Sequence, residues 1–291
     1  MNRLIVGGLV VAVVVVAALA VGKNLSSPSD EKIEALRVDP NCLWPVLRGS
    51  MNPDVPPPPA SVPVLGCAPA GTLKEDGAWT RLEIAPTEEN GFDVLYSGTR
   101  VTRLPESGTG TPYLAIDAYE NYGGSGMFSS FVLARLSKDG LSLGPLHVHR
   151  LGDRCNGGLS RSLVVDAQKA DVHIQMTPFD ILLLTVADRS VASQWAAAVE
   201  RFGPVSSEIP SCAACCTAVT SVYSADTSGG FEQIGVQYTP ATATQMSDSV
   251  VSTCLEAVVE VAAGEDGFLP IKEIGAMDAG IARCMADAQP E

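Results

Sequence analysis

The chain has 291 residues, with 33 acidic against 19 basic side chains and a net charge of −14. Hydrophobic residues make up 46%, which excludes a wholly disordered chain. The charge argues against nucleic acid and anionic lipid as partners, because both need basic surface.

Residues Leu4 to Gly22 are uncharged and mostly Val, Ala, Leu and Gly, between Arg3 and Lys23. At 1.5 Å rise per residue such a run is about long enough to cross the hydrocarbon core. Arg3 would stay on the cytoplasmic side and the rest would lie outside. Ala18-Leu19-Ala20 also fits the small-x-small pattern of a cleaved signal peptide. The run is long for a signal peptide, which favours a retained anchor. The expected location is therefore the cell envelope. The anchor would sit in the inner membrane with the bulk in the periplasm, or the protein would be secreted if the signal is cleaved.

Ser27-Pro28-Ser29-Asp30 reads as a helix start, with Pro40 as its stop. Asn52 to Pro63 hold six prolines, four of them consecutive, which suggests a stiff polyproline spacer. Residues 23–70 are thus expected to be a short helix and a stalk.

Residues 71–204 read as an antiparallel β-rich domain. Candidate strands are Trp79 to Ile84, Phe92 to Tyr96, Tyr113 to Tyr119, Phe128 to Leu136, Leu141 to Leu151, Ser162 to Val165 and Val172 to Met176. Turn residues separate them, and Asp139-Gly140 between two apolar runs is a hairpin signal. Thr177-Pro178-Phe179-Asp180 resembles a helix start, although Ile181 to Val186 also fits a buried strand. A helix is expected from about Ser190 to Phe202, ended at Gly203-Pro204. Residues 205–291 read as a smaller unit. A hairpin joins Thr217–Ala225 to Phe231–Tyr238. An amphipathic helix carries Val250, Cys254, Val258 and Ala262 alongside Val251, Leu255 and Val259, with Ser249, Ser252, Thr253, Glu256 and Glu260 on the other face, and a last helix carries Ile274, Met277, Ile281, Cys284 and Ala288. The fold class is α+β, with an N-terminal transmembrane or signal segment.

Tyr122-Gly123-Gly124-Ser125-Gly126, Gly152 to Gly158 and Thr177 to Asp180 resemble segments of uncharacterised exported bacterial envelope proteins. The resemblance covers about 60 residues of the β-rich unit. No activity is known for such proteins, so it implies no role for any residue.

The cysteine count of eight is even, and export favours disulfides. Cys254 and Cys284 flank one loop in two apolar helix stripes and are expected to pair. Cys42 and Cys67 bracket the proline segment and would staple it. Cys155, Cys212, Cys215 and Cys216 remain, with connectivity open. Cys212-Ala213-Ala214-Cys215 lacks the strand-to-helix turn of a redox motif, and no second Cys-x-x-Cys completes a zinc site.

Three candidate sites stand out. His147 and His149 share one strand face by period-two alternation, and His173 lies on another strand. A His-x-His strand facing a third His can hold zinc with one open position, as in alpha carbonic anhydrases, although nothing else here resembles them. Arg154, Gly157, Gly158 and Arg161 suggest an anion-binding nest, with Cys155 as a nucleophile only if it is unpaired. Asp266, Gly267, Leu269 and Glu273 match positions of a calcium loop, but Ala262 and Gly264 stand where carboxylates should be. No other catalytic pattern appears. The reading is a non-enzymatic, disulfide-stabilised domain without cofactor that binds a protein or envelope component. The alternative is an exported zinc hydrolase or lyase using the three histidines. A binder of basic peptides or cations is a third reading, from the charge.

Overall fold

The computed structural model describes residues 36–49, 59–69, 72–85, 95–105, 111–121, 125–186, 191–203, 209–240 and 250–287. The apolar run 4–22, the helix expected from Ser27 and most of the consecutive prolines lie outside them. Among the described residues no helix is long and apolar enough to cross a membrane.

The architecture is mostly antiparallel β-sheet with a few helices. The strands are β1 (Val62–Pro63), β2 (Leu73–Asp76), β3 (Trp79–Ile84), β4 (Leu95–Arg103), β5 (Tyr113–Asn121), β6 (Phe128–Leu136), β7 (Ser142–Asp153), β8 (Leu159–Val164), β9 (Lys169–Gln175), β10 (Val219–Asp226), β11 (Phe231–Tyr238) and β12 (Phe268–Pro270). The helices are α1 (Pro40–Gly49), α2 (Pro178–Leu183), α3 (Val191–Phe202), α4 (Val250–Ala263) and α5 (Asp278–Asp287), with a 3₁₀ segment at Ile271–Met277. β2 to β7 form a meander, and β1 closes beside β7 to make a seven-stranded sheet. β8 to β12 form a second, five-stranded meander. Strands β8 and β9, from the 71–204 stretch, thus share a sheet with β10 to β12, from the 205–291 stretch.

Period-two alternation explains both faces of the first sheet. Along β3, Thr80 and Leu82 are buried on one side, and Trp79, Arg81 and Glu83 lie on the other. The register carries this second face across β4 and β5: Trp79 pairs with Arg100, Arg81 with Gly98, Arg100 with Asp117 and Gly98 with Tyr119. It continues through Phe131 and Leu133 to His149 and His147 on β7. This inner face meets the second sheet in a core of Leu104, Ala115, Phe131 and Leu133 against Ala170, Val172 and Ala225. Tyr113, Leu151, Ile174, Tyr223 and Phe231 pack around it.

The opposite face of the first sheet receives α1. Residues 36–69, expected as helix and stalk, include elements that lie against this sheet: α1 contacts β3, β4 and β7, and β1 pairs with β7. Pro40, expected as a helix stop, is instead the first residue of α1, a position where its missing N–H costs nothing. Asp39 caps that helix. Its buried carboxylate accepts from Asn41 N at 2.9 Å, Cys67 N at 2.8 Å and Ala68 N at 2.6 Å. Thr99 Oγ1 donates to the Val38 carbonyl at 2.5 Å, which fastens the segment to β4.

A second core joins the rest of the five-stranded sheet to the helices. It holds Phe179, Ile181 and Leu182 of α2, Leu255 and Val259 of α4, and Ile281 and Cys284 of α5. Ile181 and Leu182 are therefore helical, not stranded. A capping box starts α2: Thr177 Oγ1 accepts from Asp180 N, and Asp180 Oδ2 accepts from Thr177 N at 2.7 Å. The buried face of α4 keeps Leu255 and Val259 of the expected apolar face but extends to Ser252 and Glu256, expected on the polar one. Ser252, Leu255, Glu256, Val259 and Ala263 are buried, while Val250 is 86% exposed.

Four disulfides use all eight cysteines. Cys42–Cys67 and Cys254–Cys284 pair as the sequence suggests. The remaining four form Cys155–Cys216 and Cys212–Cys215. Cys155–Cys216 ties the crossing from β7 to β8 to the start of β10, and Cys155 N donates to the Ala213 carbonyl.

Two outcomes follow from these contacts. Asp39→Asn removes charge-assisted acceptors from a buried site and should lower stability by about 2–4 kcal/mol in urea unfolding. Loop-closure entropy makes the two neighbouring disulfides unequal. Their sequence separations are 3 for Cys212–Cys215 and 61 for Cys155–Cys216. Paired Cys→Ala substitution should cost about 2 kcal/mol at the first and about 4 kcal/mol at the second, read from the same unfolding curves.

Candidate functional site

The histidines do not assemble a metal centre. His147 and His149 share the inner face of β7, opposite Leu133 and Phe131, as the alternation requires. His149 is a half-buried aromatic packed against the inter-sheet core. It stacks on Phe231 at 4.1 Å between ring centroids, and Phe231 stacks on Tyr223 at 4.7 Å. Its buried Nε2 has no hydrogen-bond partner among the described residues. Burial, followed by the neighbouring His147, lowers its pKa, so the ring stays neutral. His173 is elsewhere. Ala170 and Val172 of β9 enter the inter-sheet core, so His173 emerges on the other face of the second sheet. There it lies 3.2 Å from Thr220 Oγ1. Among the described residues, the group of three or more candidate ligands whose atoms lie within 4.8 Å of one another is Asp39, Cys42 and Cys67. Its sulfurs are bonded to each other and its carboxylate accepts backbone amides, so it offers no metal site.

The anion nest is closed by its own backbone. Gly157 N donates to the Gln175 carbonyl at 3.2 Å, and Gly158 N donates to the Arg154 carbonyl at 2.8 Å. Neither amide is left for an anion. Arg161 pairs in register with His173 on the far face of the second sheet, away from Arg154. Cys155 is disulfide-bonded, which removes it as a nucleophile. The residues that match a calcium loop only in part form other elements. Phe268–Pro270 add strand β12 to β11, and Ile271–Met277 form the 3₁₀ segment that carries Glu273.

What the structure assembles instead is a groove. β8 lies against β5 and β6, so the second sheet stops short of β3 and β4. The uncovered inner face there lines a cavity of about 500 Å³ with Trp79, Arg81, Glu83, Tyr96, Arg100 and Tyr119. Arg154 closes it from the β7–β8 crossing, with Leu159 and Ser160 of β8 beside it. Gly98 sets the floor. A side chain there would run into the Tyr119 ring, so only glycine lets that ring lie across β4. Trp79 meets Tyr119 edge-on at 5.2 Å, and the Arg100 guanidinium sits 5.1 Å from the Trp79 ring centroid.

Every guanidinium in the groove has a carboxylate partner. Arg100 donates through Nε at 2.9 Å and through Nη2 to Oδ2 of Asp117, which is 1% exposed. Arg81 pairs with Asp76 at 2.8 Å, and Arg154 with Asp153 at 3.1 Å. Glu83 is held by Lys74. Burial raises the Tyr119 pKa, partly offset by Arg81, so the phenol keeps its proton.

The alternation that builds this groove is legible in retrospect. Trp79-x-Arg81-x-Glu83, Tyr96-x-Gly98-x-Arg100 and Asp117-x-Tyr119 put aromatic and charged residues at one parity of three consecutive strands. Placing the second of these strands at Phe92 to Tyr96 hid the pattern, because β4 runs on to Arg103.

Comparison with family models, curated proteins and solved structures gives no match to this chain.

His173 gives a pH-dependent outcome. Burial, with Arg161 adding to it, lowers its pKa to about 4. The unfolded chain takes up this proton as pH falls past about 6.5, before the folded chain does. The contribution is therefore full above about pH 6.5 and is lost as pH falls toward 4, by up to about 3 kcal/mol. His173→Gln should lose stability less steeply than the parent over that window, measured by unfolding at stepped pH.

Proposed function

We propose that the chain is an exported cell-envelope protein. Residues 4–22 anchor it in the inner membrane with the bulk in the periplasm, or it is secreted where that run is cleaved. Its disulfide-stabilised domain is a non-catalytic binding module, and a protein or other envelope component docks in the groove over β3 to β5. The groove carries this reading: it is an open, aromatic and hydrogen-bonding cavity on a rigid sheet face, held by paired strands. Four disulfides with no free cysteine support an oxidising compartment. The net charge of −14 supports a partner that is neither nucleic acid nor anionic lipid. The zinc hydrolase reading loses its support with the histidines on two different faces.

Alkaline phosphatase fused after residue 35 should be active in cells, and the full chain should show no alkylatable thiol by intact mass unless reduced. Fractionation with the inner membrane marks the anchored form, and release marks the cleaved form. An inactive fusion together with free thiols would overturn the export reading.

A further inference from the structure

We propose that the groove over β3 to β5 is a saccharide site, taking a short stretch of uncharged, polyhydroxylated envelope glycan. The inference rests on the groove being the binding site of an exported protein, and it adds the chemistry of the ligand.

The charges in the groove come in compensated pairs. Arg81, Arg100 and Arg154 are each engaged by a carboxylate, and Glu83 is engaged by Lys74. A phosphate or acidic peptide would find no uncompensated cation, within a chain of net charge −14. Such pairs place planar donors beside acceptor oxygens. A hydroxyl both donates and accepts, so neighbouring sugar hydroxyls can meet the guanidinium donors and the Glu83, Ser129 and Ser160 oxygens that line the same groove.

The aromatic side chains supply the other half of the recognition. Trp79, Tyr96 and Tyr119 stand on adjacent strands at one parity, and Tyr96 is 42% exposed at the rim. A sugar ring has an apolar C–H face that packs on such rings while its hydroxyls reach the polar pairs. Trp79 is fixed in advance by Tyr119 on its edge and Arg100 at its face, so little side-chain freedom is lost on binding.

An extended peptide is a poorer fit. Peptides dock to sheets chiefly through an open strand edge. Here β3 is paired with β2 and β4, and β4 with β3 and β5, so their backbone groups are already used. A peptide lying across β3 and β4 would gain side-chain contacts alone, and the open edge it could reach is that of β8, at Leu159 and Ser160. The cavity of about 500 Å³ lies in the usual size range for small ligands.

The test is titration calorimetry of the folded chain against chitotetraose, cellotetraose, maltotetraose and mannotetraose, with inorganic phosphate and hexaglutamate alongside. At least one saccharide should bind with a Kd of roughly 0.01–1 mM. That Kd should change by less than about twofold between about 50 and 500 mM salt, since no counterion is displaced. Tyr96→Ala removes a rim ring and should weaken binding by about fivefold or more. Arg154→Gly is a second probe that spares the fold. Arg154 has φ of 44°, where glycine is at ease, and the backbone bonds at 154 remain. It too should weaken binding while leaving the melting temperature at or above that of the parent. Saccharide binding that neither variant weakens would overturn the proposal. If phosphate or hexaglutamate binds, the saccharides fail, and Arg154→Gly abolishes that binding, the sugar assignment falls and the groove remains the binding site. If none of the six binds, the sugar assignment and the groove reading fall together, while export stands or falls on the thiol and fusion results.

Discussion

A seven-stranded sheet has more inner face than a five-stranded sheet can cover. The rest of the structure follows from that mismatch. Where the second sheet reaches, over β5 to β7, the inner face is apolar and is closed by Phe131, Leu133 and the His149–Phe231 stack. Beyond it, over β3 and β4, the same parity carries Trp79, Arg81, Glu83, Tyr96 and Arg100. Fully burying one large apolar side chain is worth about 1.5–3 kcal/mol, so the sheets stay together where they can exclude water. Burying an unpaired guanidinium would cost more than that. The uncovered margin can thus carry charge that the apolar part of this face cannot. Asp117 marks the boundary: it is buried beside Phe131 in register, yet bonded to Arg100 in the groove.

The outer face of the same sheet is managed by covalent and hydrogen-bonding ties. α1 is only ten residues long and contains Pro45, so its own hydrogen bonds hold it weakly. Cys42–Cys67 and the Asp39 carboxylate join its first turn to the segment that follows β1. Leu43, Val46 and Leu47 are buried as a result. The disulfide and the carboxylate compensate for what a short, proline-containing helix lacks. Cys155–Cys216 does similar work at the crossing between sheets, where Arg154 holds a left-handed backbone conformation that β strands do not supply. Those ties also steady the groove, because Arg154 enters it from that crossing.

Much of this fold was legible because period-two alternation survives wherever one sheet face is buried. β3, β6 and β11 begin and end where the alternation places them, and Asp139-Gly140 turns β6 into β7. The elements that were misread are those whose identity depends on distant contacts. Asp39-Pro40 reads equally as the end of one helix or the cap and first residue of another, and the Cys67 and Ala68 amides decide it. Ile181 to Leu183 is as apolar as a buried strand, and only the Thr177–Asp180 capping box makes it helical. β2 is a short edge strand of Leu73-Lys74-Glu75-Asp76, where sheet pairing overrides a composition that disfavours strands. The buried face of α4 extends past the apolar stripe because Glu256 is buried and accepts from the Ala218 backbone, a contact no helical wheel contains.

The candidate sites show the same limit at closer range. Alternation correctly put His147 and His149 on one face, but it says nothing about which face of a second strand will meet them. Ala170 and Val172 turn that face inward on β9, so His173 is carried to the far side of its sheet. A rare residue type invites a functional reading, and here each histidine has a structural role: two line the packed inner face of β7, and one is buried beside Thr220. The groove residues are common types and attract no notice singly. They line one groove because three neighbouring strands repeat the same parity in register, and because a glycine at position 98 leaves room for the ring opposite. Paired charges complete it. A guanidinium that already holds a carboxylate is a poor magnet for ions, and the fold builds three of these pairs around one cluster of aromatic rings.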